Sequence, residues 1–264
     1  MKKYKYLVAG GCSFTAAGWT VELCKHLGTI RHDYANAGLS NDVIAPSVVY
    51  GVERLLNNGV DVNDILVGVM WSGVDRKSFF KRELTDPNLY NIHNYDSSKE
   101  NYTFMIKEDY PITETIHPPH WLIRDYSQGC YAVQNFCYDT REAKAWYQSC
   151  LYDSFASRLK TLEKMIWIQS YLKEKNVDYF MSTFRNQVLE LDQDDQDTAD
   201  PNAEESSVNP NFVWLNNLLD KDYFLPIRSY QDLLPADEQD RHPEEHDDVK
   251  LVADYILPFI EKMY

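Results

Sequence analysis

Apolar residues in this chain follow two rhythms: short unbroken runs, and longer stretches in which they return every three or four positions. The runs predict buried strands and the longer stretches predict amphipathic helices. The two alternate, which is the pattern of a parallel sheet with helices on both faces. The spacing predicts a first strand over Lys5 to Ala9, a helix from about Ala17 to Leu27 and a short second strand near Asp33 to Ala37. A second helix is expected over Asp42 to Asn57, closing at Asn57-Asn58-Gly59, where glycine suits the left-handed turn that ends a helix. Asp64 to Trp71 is near-continuously apolar, as a strand buried on both faces should be. A long helix is expected over Arg141 to Lys175, with Leu151, Phe155, Leu159, Leu162, Met165, Ile166 and Ile168 packing the core. A fourth strand follows over Asp178 to Thr183. The last helix, Asp247 to Lys262, is expected to carry Val249, Val252, Ala253, Ile256 and Ile260 inward.

Two segments interrupt this rhythm. Residues 77–140 lack long periodicity and are rich in tyrosine, with His117-Pro118-Pro119-His120 at their middle. Such a long irregular stretch is usually functional or a small subdomain. Leaving the sheet after the third strand, it is expected to arch over or beside the strand ends as a lid. His117 and His120 have the makings of a metal pair, but no third ligand accompanies them, so no metal is expected. The second segment, Leu191 to Val208, places carboxylates at alternate positions but lacks the turn glycine and closing glutamate of a calcium loop. It reads as a solvated loop. With no repeats and no linker, one domain over residues 1–264 is expected.

Composition narrows the function. A net charge of −15 opposes binding to nucleic acid or to an anionic membrane surface. No apolar run approaches the roughly 18 residues that span a bilayer. Met1-Lys2-Lys3-Tyr4 leads directly into the first strand without a signal-peptide core. A cytoplasmic protein is therefore expected, and a virion component would begin in the same way. The 5 cysteines form no CxxC pair, and Cys130 and Cys137 are too far apart for a short metal motif, so reduced thiols are expected. The 19 tyrosines and 6 tryptophans suit a face that stacks on sugars, or equally a protein interface.

The chemistry concentrates in Tyr6-Leu7-Val8-Ala9-Gly10-Gly11-Cys12-Ser13-Phe14-Thr15. Ser13 stands where a strand gives way to a helix, at the strand's carboxyl end, where open α/β sheets bind ligands. A helix beginning there would aim free N–H groups at a developing oxyanion. The plainer alternative is a strand-to-helix turn capped by Ser13. Cys12, at the same helix end, is a rival nucleophile. At the other end of the chain, Asp240-Arg241-His242-Pro243 precedes the last helix. Pro243 holds His242 extended, and a carboxylate two residues before a histidine is a compact way to orient the ring. His246 is a subsidiary candidate base, better placed as a helix cap.

Together the two ends resemble the SGNH (GDSL-type) hydrolases. In that family a block I serine follows a glycine after the first strand, and a block V histidine lies in a loop before the last helix. Asn36-Ala37-Gly38-Leu39-Ser40-Asn41 has the form and place of block II, matching Gly38 to the glycine whose N–H faces the oxyanion. Ile65 to Arg76 stands in place of block III. The wording Gly-Cys-Ser-Phe-Thr with Trp-Ser-Gly-x-Asp-Arg looks like a divergent branch found in phage genomes and polysaccharide loci. Four features depart from the pattern. Cys12 replaces an acidic or amide residue, Asn41 stands where a second glycine is common, and the Asp240–His242 spacing is one residue short. Asp75 aligns with the asparagine that donates in the oxyanion hole, and an ionised Asp has no donor. Asp75 is open to protonation, to pairing with Arg76, or to yielding its role to Asn41.

The resemblance implies a three-layer α/β/α, flavodoxin-like domain with a parallel sheet of about five strands and a large insertion after the third. It implies a serine esterase: Ser13 attacks, His242 takes the proton, Asp240 orients the imidazole, and Ser13, Gly38, Asn41 and Asp75 surround the oxyanion. No cofactor is needed. The tyrosine-rich insertion favours an acetyl ester on a carbohydrate as substrate. The competing expectation is a catalytically weakened member of the fold with a structural or binding role, such as a phage virion component or carbohydrate-binding module, with homo-oligomer or virion assembly.

Overall fold

The computed structural model describes residues 3–35, 39–74, 77–81, 130–134, 154–185, 189, 210–227, 229–235 and 244–264. Its strands are β1 (Tyr6–Gly10), β2 (Ile30–Asp33), β3 (Ile65–Trp71), β4 (Lys77–Lys81), β5 (Cys130–Gln134) and β6 (Asp178–Thr183). Its helices are α1 (Thr20–Leu27), α2 (Asn41–Asn57), α3 (Ser154–Lys175), α4 (Pro210–Leu218), α5 (Glu245–Leu251) and α6 (Leu257–Met263). Four strands form a parallel sheet in the order β2-β1-β3-β6, and a single parallel bridge from Phe224 to Met181 extends its outer edge. The ends of the long aromatic segment, β4 and β5, pair as an antiparallel ribbon. That pairing was not legible in the sequence, because 48 residues separate the two strands.

Alternation along the strands sorts the core into two layers. Val8, Val67, Val69, Tyr179 and Met181 face one side, where α2, α3 and α4 bring Val48, Val52, Leu162, Met165, Ile168 and Phe212. Leu7, Ala9, Leu66, Met70 and Phe180 face the other, where they meet Trp19, Leu23, Leu251, Val252, Ile256 and Ile260. The result is a mixed α/β structure with helices on both sides of the sheet. Trp19 lies flush against β3 because Gly68 offers no side chain there. A Cβ on Gly68 would sit 2.7 Å from both the Trp19 and Phe180 rings.

Two expectations shift. The second strand begins earlier, at Ile30, because Gly28 in the left-handed region (φ +66°) ends α1 and releases the chain at once. Its Arg31, His32 and Asp33 are buried, and the Arg31 guanidinium lies 3.3 Å from Asp33 and donates to the Thr20 hydroxyl at 3.2 Å. The expected long helix is seen from Ser154, and its stretch 141–153 lies outside the described residues. In the last helix, Val249 is 39% exposed and Ala253 is also exposed, rather than turned inward. A π-turn over Val252–Ile256 separates α5 from α6 and rotates the inward face to Leu251, Val252, Ile256, Phe259 and Ile260.

Candidate active site at the strand ends

From β1 the chain goes first to β2 on one edge and then crosses to β3 on the other, so the strand order reverses between β1 and β3. Ligands of open α/β sheets bind at the carboxyl ends beside such a reversal. Ser13 stands there, three residues beyond the end of β1. A Cβ on Gly10 would lie 2.3 Å from Val48 of α2, and one on Gly11 would lie 2.0 Å from Thr15 Oγ1 and 3.1 Å from the Met70 carbonyl. The two glycines thus let the backbone pass between α2 and β3. The Cys12 carbonyl then accepts from the Thr15 N–H at 2.9 Å and the Ala16 N–H at 3.1 Å. Winding therefore starts at Cys12, and half-buried Ser13 lies inside the first turn, not before it as a cap. A π-turn, Thr15–Trp19, carries the chain into α1. Cys12 itself is fully buried in the core layer beneath α1.

The neighbouring strand ends close around this turn. The Phe184 N–H, just past β6, donates to the Trp71 carbonyl at 2.9 Å. The Phe184 ring stacks on Phe14, with centroids 3.7 Å apart, and the Arg185 guanidinium lies 5.3 Å from the Phe184 ring centroid. The residue after Ser13 therefore belongs to an aromatic pair with a cation over its Phe184 ring.

Asn41, the first residue of α2, is committed within the fold. Its Oδ1 accepts from the Ser72 N–H at 2.8 Å, and its Nδ2 donates to the Ser72 carbonyl at 3.0 Å and to Thr161 Oγ1 at 3.2 Å. Both Nδ2 hydrogens are thereby used. The amide expected at an oxyanion holds the end of β3 instead. Gly38, Asp75, Asp240 and His242 lie outside the described residues, as do His117, His120 and the acidic segment 191–208. The structure therefore brings Ser13 and Asn41 to the ends of β1 and β3. α5 begins three residues after His242. His246, in its first turn, is exposed, with Nε2 3.2 Å from Asp247 Oδ1. The cap is made by Asp247, whose carboxylate accepts from the Glu244 N–H at 2.9 Å.

One group beside the serine turn escaped the sequence reading. The Asp248 carboxylate of α5 accepts from the Tyr230 hydroxyl and from the Trp19 N–H at the end of the π-turn. A Cβ on Gly18 would lie 3.0 Å from it, so a side chain there would push the carboxylate back by a few tenths of an ångström. Burial pushes the Asp248 carboxyl up to about 6, against the pull of its two donors and with a further push from Asp247 and Glu22. A native pKa above the unfolded one means that the folded state holds the extra proton between about pH 4 and 6. Stability from this group is present below that window and is lost as pH rises through it. A shift from 3.8 to about 6 corresponds to about 3 kcal/mol. Asp248→Asn is expected to be more stable than the parent by up to that amount at pH 7.5, and nearly equal to it at pH 4. Urea denaturation at both pH values checks this, and an equal loss at both would contradict it.

No protein-family model, curated protein or solved structure matches the chain. Among the described residues, no helix is long and apolar enough to cross a membrane.

Proposed function

We propose that the chain is a serine hydrolase of the SGNH type that cleaves an ester, with an acetyl ester on a carbohydrate as the favoured substrate. The observation that carries this reading is the place of Ser13, in a tight glycine-led turn at the carboxyl end of β1, beside the reversal of strand order. The order β2-β1-β3-β6 agrees with the flavodoxin-like arrangement the reading requires, and the Phe224 bridge stands where a fifth strand would lie.

In this reading the Ser13 hydroxyl attacks the ester carbonyl carbon and His242 takes its proton. The oxyanion is held by the main-chain N–H groups of Ser13 and Gly38. The tetrahedral intermediate expels the alcohol, which receives the proton from His242. Water, activated by the same imidazole, then releases acetate and restores Ser13. Asp240 orients the ring. No metal or organic cofactor enters. Sugar stacking falls to the tyrosine-rich residues 77–140, and the acidic surface disfavours nucleic acid as a partner.

The second reading, a weakened member of the fold that binds or assembles without catalysis, draws on one observation. Asn41 spends its amide on Ser72 and Thr161, and Asp75 supplies no donor when ionised, which leaves two main-chain donors for the oxyanion. Acetate release from acetylated xylo- and chito-oligosaccharides separates the readings. The hydrolase reading expects release by the parent and none above background by Ser13→Ala. Equal release by both proteins removes it.

A further inference from the structure

The Trp71 carbonyl points towards β6, where it receives the Phe184 N–H. Successive residues of a strand direct their N–H and C=O groups to opposite sides. The N–H and C=O of Ser72 therefore face the β1 side. β1 is no longer there to meet them, because it leaves the sheet at Gly10 and has turned by Ser13. The Asn41 side chain takes its place, accepting from one Ser72 group and donating to the other as a neighbouring strand would. Asn41 is 5% exposed and Thr161 4%. Thr161 Oγ1 accepts the remaining Nδ2 hydrogen and donates its own hydroxyl hydrogen to the Ser157 carbonyl at 2.9 Å. The contact thus ties three elements at one point: the start of α2, the end of β3 and the first turns of α3.

We propose that Asn41 is a positioning residue that sets the width of the crevice beside Ser13 by acting as a one-residue surrogate strand for β3. It holds the start of α2 at a fixed distance from the chain that leaves β3 at Ser72. The inference rests on the hydrolase reading for its consequence in catalysis, but not for the clasp itself. A buried amide that satisfies both main-chain groups of its neighbour has no spare hydrogen for substrate. Its effect on rate is therefore exerted through the placement of the start of α2 against the end of β3.

The test compares Asn41→Ala, Asn41→Asp and Thr161→Val, using p-nitrophenyl acetate turnover and hydrogen exchange at the Ser72 amide. Asn41→Asp keeps the size and the acceptor but turns an oxygen on the Ser72 carbonyl, so it tests the donor even if Asn41→Ala folds poorly. The Ser72 amide is expected to exchange about 10-fold faster or more in Asn41→Ala, and to stay protected in Ser13→Ala. Turnover is expected to fall in kcat by about 10- to 100-fold in both Asn41 variants, with KM little changed. Thr161→Val, which touches no substrate, is expected to show a smaller loss of the same kind. Unchanged exchange at Ser72 in Asn41→Ala would overturn the proposal. So would a parental kcat in Thr161→Val beside a large loss in Asn41→Ala, since that pairing marks Asn41 as a direct oxyanion donor. If the parent shows no turnover, the hydrolase reading fails and the exchange experiment alone decides the clasp.

Discussion

Ser13→Ala and His242→Ala are each expected to lower ester hydrolysis by about 1,000-fold or more, and the double variant to be no slower than the slower single variant. A nucleophile and its base act as one unit, so removing either removes the activated oxygen and the second loss has nothing left to subtract. What remains is the rate supported by main-chain donors and substrate binding. Stability gives the control. Ser13 is half-buried, and the turn that holds it is made by the Cys12 carbonyl, not by the serine hydroxyl. Ser13→Ala should therefore unfold within about 0.5 kcal/mol of the parent. Multiplicative losses in the double variant, measured as kcat/KM on p-nitrophenyl acetate, would show that the two residues do not act together.

The largest effect on stability is expected from Trp19→Ala, at about 3–5 kcal/mol. The indole is 1% exposed and meets the Phe180 ring edge-on, with centroids 5.6 Å apart. It fills the space that Gly68 leaves over β3, so truncation opens a void between α1 and the sheet. The rigid main chain of β3 cannot collapse into that void, which favours a cost well above the bare transfer energy. One offset exists: among the described residues the buried Trp19 Nε1 has no hydrogen-bond partner, so its loss costs no hydrogen bond there. That places the expected value nearer the lower bound. Urea unfolding should show a lower midpoint with an unchanged slope. A shift below about 1 kcal/mol would contradict this packing.

How much of this was legible in the sequence depended on whether a residue's role was local. β6 runs over the predicted Asp178–Thr183, and β3 begins one residue late, because both are apolar runs whose burial needs no further information. The serine turn was legible too, since paired glycines after a strand announce a sharp change of direction. β2 was misplaced because Arg31, His32 and Asp33 look like surface residues. Only the fold shows that Arg31 finds Asp33 and the Thr20 hydroxyl. Val249 and Ala253 were turned inward by a 3.6-residue period that the π-turn interrupts. Asn41 could be seen as an amide near Gly38, but its bonds to residues 31 and 120 positions away could not. Asp248 is one carboxylate in an acidic run, distinguished only by Tyr230 and the Trp19 N–H that meet it in space.

The proposed hydrolysis requires Ser13 to be an activated nucleophile. Treating the protein with a fluorophosphonate and mapping the adduct by peptide mass spectrometry tests it most directly. A single adduct is expected, on Ser13, absent in Ser13→Ala and strongly reduced in His242→Ala. No adduct on Ser13 between mildly acidic and mildly alkaline pH, or an equal adduct in the parent and in His242→Ala, would contradict it.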